Sequence, residues 1–150
     1  MALRKPVIGA GTRLRYWDTT SSEWINLVRI QNIGGPQLTR QLNDDTTLDD
    51  IDGYVKYYAG LKEGGTVPFT TDYSHDTLEL MLSWQKSNDS MYYSILMPDA
   101  EETTIIFEGL LQDSQMDVAS AGEKSTISCT IMINGEPVLG DPEDDPTTVL

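Results

Sequence analysis

The 150-residue sequence contains a single cysteine and a single histidine. One cysteine excludes an intrachain disulfide framework and a cluster of thiolate metal ligands. Cys129 alternates with Ile127 and Ile131, so we expect it to be a small buried apolar side chain. His75 has no Gly-x-Ser-x-Gly nucleophile motif elsewhere in the chain to act with, and there is no phosphate-binding Gly-x-x-x-x-Gly-Lys-Ser/Thr loop. The sequence therefore predicts no catalytic residues, no cofactor and no enzymatic activity.

Long apolar runs are also missing. No stretch is long enough to cross a bilayer as a helix. No basic and then apolar leader with a small-residue cleavage site opens the sequence. We expect no membrane association and synthesis in the cytoplasm.

Basic residues are scarce and unevenly placed. Ten Lys and Arg stand against 24 Asp and Glu, for a net charge of −14. Residues 1–42 hold six bases and two acids, which gives +4, so the remainder carries −18. Affinity for the phosphate backbone comes largely from Lys and Arg. We therefore expect no tight binding of DNA, although DNA could pass close by without adsorbing.

An acidic run in the middle of the chain lacks the ligand pattern of a calcium-binding loop. With Gly53 at the sixth position of an EF-hand, the first position is Leu48 and the twelfth is Ala59, so essential ligands are missing. We predict no metal site. The run consists of Asp44, Asp45, Asp49, Asp50 and Asp52.

Alternation of apolar and polar residues with period two dominates the rest of the chain and predicts β-strands. Pro68 cannot donate a ladder hydrogen bond, so we expect its strand to lie at a sheet edge or to contain a bulge. The pattern predicts a mainly β protein, an antiparallel β-sandwich or barrel-like sheet. The predicted strands are 13–17, 24–33, 66–73, 91–97, 104–112 and 125–133.

One helix, about 76–86, interrupts the strands. Asp76 and Glu79 have the spacing of a capping box at its start. At about 100° per residue its leucines, Met81 and Trp84 form a broad apolar arc. Such a helix must pack against a sheet.

Residues 34–65 form the most unusual segment, a long loop with little regular pattern but much apolar and aromatic mass. Loops of this length in compact domains are uncommon and usually functional or disordered. We read it as a binding arm, a lid or a disordered segment of one domain, 1–150. That domain also has an N-terminal arm, 1–11, and an acidic C-terminal tail, 140–150, both expected to be mobile in an isolated subunit.

The serial order of these features resembles the major tail tube proteins of lambda-like long-tailed phages (siphoviruses). The similarity covers roughly residues 8 to 139 and rests on order, because no single motif is specific. It runs through residues 9–14 entering the first strand, a second strand led by Trp24, the acidic loop 44–50, the run 60–70, helix 76–86, the strand 91–97 ending in Pro98-Asp99, Phe107-Glu108-Gly109 and Asn134-Gly135-Glu136-Pro137.

The resemblance implies a structural virion protein with the tail tube fold. Six copies would form a ring, and rings would stack into a hollow tube through which DNA passes without tight binding. Its partners would be further copies of itself and the tape measure, tail terminator and tail tip proteins. The long loop would reach a neighbouring subunit or the next ring.

The inter-subunit residues are therefore hypotheses. Leu42, Leu48 and Ile51 would be anchors in a neighbour. The basic opening region would pair with the acidic loop of an adjacent copy. The residues proposed for that pairing are Arg13, Arg15, Asp44, Asp45, Asp49 and Asp50.

Two other functions stay open at this point. A tail terminator or connector protein could share the fold and form rings that do not polymerise. A monomeric glycan-binding β-sandwich would instead expose an aromatic patch, with Tyr54, Tyr57 and Tyr58 as candidates.

Overall fold

A computed structural model describes residues 9–27, 29–49 and 51–150. Its main secondary structure is the antiparallel β-strand. The strands are β1 (Arg13–Asp18), β2 (Glu23–Asn26), β3 (Ile30–Ile33), β4 (Thr39–Asp44), β5 (Tyr57–Glu63), β6 (Thr66–Asp72), β7 (Met91–Leu96), β8 (Thr104–Asp117), β9 (Thr126–Ile133) and β10 (Val138–Gly140), and the helices are α1 (His75–Lys86) and α2 (Pro146–Val149).

The main sheet has the strand order β2-β1-β7-β8-β9-β6-β3, with β10 pairing beside β8. Although β2 and β3 lie at opposite edges, only residues 27–29 connect them. Four residue steps span at most about 15 Å. The two edges must therefore lie close together, so the sheet curls round on itself. This confirms the predicted antiparallel, barrel-like architecture.

The predicted single strand 24–33 is two strands. Arg29 has a positive φ of 60°, which breaks the extended backbone. The chain then passes from one sheet edge to the other. The Leu27 amide donates to the Leu14 carbonyl in β1, and the Arg29 carbonyl accepts from Asp72 in β6.

The main core lies inside the curl of the sheet. The inward residues of β9 that the alternation predicted, Ile127 to Ile133, are buried, and Cys129 among them is 2% exposed. Helix α1 covers the core with Met81 and Trp84. Burial in this apolar setting raises the pKa of the Cys129 thiol to about 12, so the thiol stays protonated and inert.

Helix α1 begins one residue earlier than predicted, and its cap is different. Ser74 is the N-cap, and its hydroxyl accepts a 3.1 Å hydrogen bond from the Thr77 amide. The expected capping box of Asp76 and Glu79 is therefore wrong, because Asp76 already lies inside the first turn. Serine satisfies the orphan amide equally well.

Strand β6 is interior, paired with β9 on one side and β3 on the other, so the expectation of an edge strand is wrong. The alternative, a bulge at Pro68, is also not found there, because the irregularity in the pairing with β3 lies between Ile30 and Asn32. The Pro68 carbonyl accepts a 2.7 Å bond from the Gly34 amide just where β3 ends. The missing N–H of Pro68 therefore falls beyond the end of β3, where the ladder does not need it. Close approach also requires Gly34, because a Cβ there would lie 2.7 Å from Pro68 Cγ.

The C-terminal tail packs on the sheet, contrary to the expectation of a mobile segment. Strand β10 pairs with the start of β8, and Pro146 is fully buried. The Trp24 indole Nε1 donates a 2.9 Å bond to the Asp144 carbonyl. The tail covers a second buried row, Arg15, Ser94 and Ile106, on the face of β1, β7 and β8 opposite the main core. Residues 1–8 of the predicted N-terminal arm lie outside the described residues.

Candidate assembly surface

Residues 39–63 form a β-hairpin that belongs to no other sheet. Strands β4 and β5 pair from Thr39 opposite Glu63 to Asp44 opposite Tyr57, with an irregularity between Arg40 and Leu42. The predicted pattern-poor loop therefore contains two strands. Both faces of the hairpin are exposed, so no hydrophobic alternation marked the strands in the sequence.

The turn of the hairpin is held by local hydrogen bonds. The Asp45 amide donates to the Lys56 carbonyl at 2.8 Å. The Asp44 carboxylate accepts from the Thr46 amide at 2.8 Å, and hydrogen bonds from the Thr46 side chain and main chain lower the pKa of that carboxyl. These contacts keep the two strands together up to residue 46. In the tip that follows, the described residues 47–49 and 51–55 are exposed.

The hairpin and the residue just before it, Leu38, together carry nine large apolar side chains that are more than half exposed. Isolated two-stranded hairpins are marginally stable in water. Contiguous exposed apolar surface of this kind marks an interaction site. These residues are Leu38, Leu42, Leu48, Ile51, Tyr54, Val55, Tyr57, Tyr58 and Leu61.

The three predicted anchors contact little of their own chain. Leu42 in β4 is 61% exposed, whereas Leu48 and Ile51 at the tip are essentially fully exposed. The predicted acidic residues Asp44, Asp45 and Asp49 are exposed at the same end of the hairpin, and Asp50 lies outside the described residues.

The two predicted basic partners differ. Arg13 is exposed on β1. Arg15 is 7% exposed and bonded within its own chain, from Nε to the Ser94 hydroxyl at 3.0 Å and from Nη1 to the Pro142 carbonyl at 2.9 Å. Its guanidinium also lies over the Trp24 ring, 5.1 Å from the centroid. Alternation thus turns the Arg15 side chain under the C-terminal tail of its own chain, and of the two predicted basic residues Arg13 is the exposed one.

A groove of about 860 Å³ lies at the root of the hairpin. It runs between the root and the turn that follows β9, with Leu38, Met132 and Pro137 among its apolar walls. Arg40 and Lys62 stand directly opposite each other at this root. Sequence reasoning missed the groove, because the two strands that bring Arg40 and Lys62 together were not predicted.

The described residues are 9–27, 29–49 and 51–150. Within these ranges no group of three or more His, Cys, Asp or Glu is arranged to hold a metal ion. None of the helices in the same ranges is long and apolar enough to cross a membrane.

Over residues 10–140 the sequence matches the family described as lambda phage tail tube protein. The chain belongs to that family. None of the curated proteins compared with the chain matches it. Membership gives this tail tube protein a structural, tube-forming role as part of the phage virion tail. It also decides between the functions that the sequence left open, in favour of the tail tube.

Solved structures share the fold of this tail tube protein at low sequence identity. A chain from the tail of an empty GTA particle, refined helically with C6 symmetry, gives a TM-score of 0.73 at 12% identity, covering 90% of this chain and 99% of that chain. The SPP1 tail tube gives 0.67 at 7% identity, covering 93% and 82%. The tube-terminating cap of the anti-feeding prophage gives 0.69 at 10% identity, covering 94% and 95%. Because a cap also has this fold, the family match, and not the fold, identifies the chain as a tube subunit.

Proposed function

We propose that six copies of this tail tube protein form a ring, and that rings stack into the hollow tail tube of a siphovirus through which DNA is delivered. The exposed β4–β5 hairpin carries this proposal. A surface with nine large exposed apolar side chains needs a partner to cover it. The C6 symmetry stated for the GTA tail, whose chain shares this fold, supports six copies per ring.

The hairpin is the inter-subunit arm in this proposal. Leu42, Leu48 and Ile51 pack against a neighbouring subunit, and the acidic residues at the same end meet basic side chains such as Arg13. A heterologous contact that closes gives a ring, and one that does not close gives a filament. A tube of stacked rings uses both kinds of contact.

The charge of the chain suits a conduit for DNA. A net charge of −14 repels the phosphate backbone, so DNA slides through the lumen without binding tightly. The remaining proposed partners are the tape measure protein inside the tube and the terminator and tip proteins at its ends. The protein has no enzymatic role in this proposal.

Electron microscopy of the purified protein at high concentration tests the function. Long tubes with sixfold end views are the expected result. Isolated rings that never elongate would instead indicate a terminator. Monomers that bind glycans and form neither rings nor tubes would contradict a structural role.

Variants of the hairpin test its part in assembly. Leu48→Asp with Ile51→Asp places two charges where the fold makes few contacts, so the monomer should keep its circular dichroism spectrum and lose tube formation. Val118→Asp is the matched control, because Val118 is 76% exposed outside the hairpin. Normal tubes from the double variant would exclude the hairpin as the arm.

The proposed charge pairing has its own test. Reversal of Asp44, Asp45, Asp49 and Asp50 to lysine should abolish assembly, and reversal of Arg13 to glutamate should weaken it. Unchanged tube assembly after the acidic reversal would rule out the pairing.

A further inference from the structure

We propose that the groove at the hairpin root is the receptor for the hairpin tip of a second copy of this chain. This inference rests on the proposed tube assembly and identifies the surface that receives the arm. The groove is lined on one side by Leu38, Arg40 and Lys62 and on the other by Met132, Ile133 and Pro137.

The opposed cations indicate what the groove binds. Arg40 and Lys62 are cross-strand partners, so their side chains project from the same face of the hairpin. Like charges directly opposite each other destabilise a strand pair. An anionic ligand between them would relieve this repulsion. Neither of the two carboxylates that line the groove, Glu63 and Glu136, forms an ion pair with Arg40 or Lys62 among the described residues.

The hairpin tip has the matching chemistry. Its side chains Leu48 and Ile51 are essentially fully exposed and can pack against the apolar walls of the groove. Between and beside them stand the acidic side chains of Asp45 and Asp49, both exposed. One segment thus supplies apolar side chains for the apolar walls and carboxylates for the two cations.

A chain cannot fill its own groove. The paired strands hold residue 46 beside Lys56 through the Lys56 amide and Thr46 hydroxyl, 2.9 Å apart. Six residue steps of β4 and its extension separate Arg40 from Thr46, about 20 Å along the strand. Two further steps to Leu48 cover at most about 7 Å, so Leu48 stays more than about 10 Å from the root. Ile51 does not fill the groove either, because its side chain is almost fully exposed. The occupant is therefore the tip of another copy.

Head-to-tail docking of this kind leaves a free tip at one end and a free groove at the other. Where the contact is heterologous, as a ring or a tube requires, copies continue to add until a closed or capped assembly forms. Each hairpin thus carries an arm at its tip and, at its root, the groove that receives the arm of another copy.

Cross-linking between single-cysteine variants tests the contact directly. A mixture of Leu48→Cys and Leu38→Cys proteins should give a disulfide-linked heterodimer on mild oxidation, whereas each variant alone should not give that product. The native Cys129 is 2% exposed and stays out of the reaction. Val118→Cys replaces Leu38→Cys as the control, because it is equally exposed but lies outside the groove.

Charge reversal adds specificity to the test. Arg40→Glu with Lys62→Glu in the Leu38→Cys partner should lower the cross-link yield about tenfold, which corresponds to about 1.4 kcal/mol. Asp45→Lys with Asp49→Lys in the Leu48→Cys partner should restore it. Lys86→Glu on α1 is a charge-reversal control and should leave the yield unchanged.

The outcomes separate this inference from the proposed function. Tubes that form without the 48–38 cross-link would overturn the tip-in-groove contact and leave tube formation intact. A cross-link in protein that never forms tubes would support the contact and count against the proposed function. A cross-link whose yield ignores both charge reversals would also overturn the assignment, because the opposed cations would then play no part.

Discussion

Arg15 in β1 and Pro142 in the C-terminal tail are joined by a 2.9 Å hydrogen bond from Nη1 to the main-chain carbonyl, across 127 residues of sequence. Burial lowers the pKa of the Arg15 guanidinium, and Glu143 in the tail opposes that shift. With the Trp24 bond to Asp144, this contact makes the tail part of the folded domain. The tail therefore packs against its own chain before any ring forms.

Replacement of Arg15 should destabilise the fold far more than replacement of its exposed neighbour. Arg15→Ala removes the hydrogen bonds from the charged guanidinium to Ser94 and Pro142. A hydrogen bond that involves a charged group contributes about 1.5–3 kcal/mol to stability. We expect the free energy of unfolding in urea to fall by about 2–4 kcal/mol. Arg13→Ala should change it by less than about 0.5 kcal/mol.

A volume-conserving variant separates packing from charge. Arg15→Met should lose less stability than Arg15→Ala, because replacing a buried ion by a packed apolar chain is often nearly neutral. The buried Nη2, which has no hydrogen-bond partner among the described residues, disappears in this variant. Equal losses for the two variants would contradict a role for packing against Trp24. These measurements use the Leu48→Asp and Ile51→Asp background, so that assembly does not add to stability.

The hairpin root should depend on one glycine. Gly65 has a φ of +74°, and a Cβ there would lie 2.2 Å from the Gln37 carbonyl oxygen. Gly65→Ala should therefore lower the free energy of unfolding by at least about 1–3 kcal/mol, through both strain and the steric clash. Proteolytic cleavage within residues 36–64 should become faster as well.

Gly35→Ala is the matched control for this effect. A Cβ at Gly35 meets nothing within 4 Å, so the substitution should be neutral or stabilising. The gain would be up to about 1 kcal/mol, because alanine lowers the conformational entropy of the unfolded chain. If both substitutions proved equally harmless, the close approach of residues 65 and 37 would not exist in solution.

The parts of the fold that could be predicted share one physical origin. In β9 every second residue enters the core, so Ile127 and Ile131 alternate with outward Ser128 and Thr130, and period two appears in the sequence. Helix α1 shows its apolar arc for the same reason. Burial on one face leaves a pattern that can be read without a structure.

The parts that could not be predicted lack that one-sided burial. Both faces of β4 and β5 are exposed, so the hairpin has no periodic signal. The break at Arg29 is a single backbone dihedral, and Arg is not a residue type that favours positive φ. The tail is held by isolated contacts such as Trp24 with Asp144, which composition cannot reveal. The groove could not be predicted either, because the pairing of β4 with β5 brings its residues together.

The hydroxyl group of Tyr93 should be dispensable. It is buried beneath α1, with no hydrogen-bond partner among the described residues, and burial raises its pKa above the ordinary value. Tyr93→Phe removes a buried unpaired polar group and should leave the free energy of unfolding unchanged or raise it by about 1 kcal/mol.

The ring of Tyr93, by contrast, should be essential. It packs edge-on against Trp84 at 5.3 Å and stacks with Phe107 at 5.8 Å between ring centroids. Tyr93→Leu should cost at least about 2 kcal/mol in urea unfolding. A loss of more than 1 kcal/mol in Tyr93→Phe would show that the hydroxyl has a partner, such as a buried water.

Stability should fall in acid partly through Asp72 at the end of β6. Hydrogen bonds from Gln31 and Arg29 to its carboxylate, with help from the nearby charge of Lys124, lower the pKa of Asp72 in the folded state. A lowered folded-state pKa favours the folded state above the unfolded-state value, about 3.9. That contribution is lost as the pH falls through the folded-state pKa.

Asp72→Asn should therefore destabilise the protein near pH 7, and the difference from the parent should shrink steadily as the pH drops below about 4. Urea unfolding at a series of pH values between about 7 and 2 measures this difference. Asp117→Asn is the control, because Asp117 lies two strands away at the same end of the sheet and is exposed. A difference for Asp72→Asn that stays constant down to the lowest pH would mean that its charge does not carry the effect, and that the shape of the amide alone disturbs the contact with Arg29.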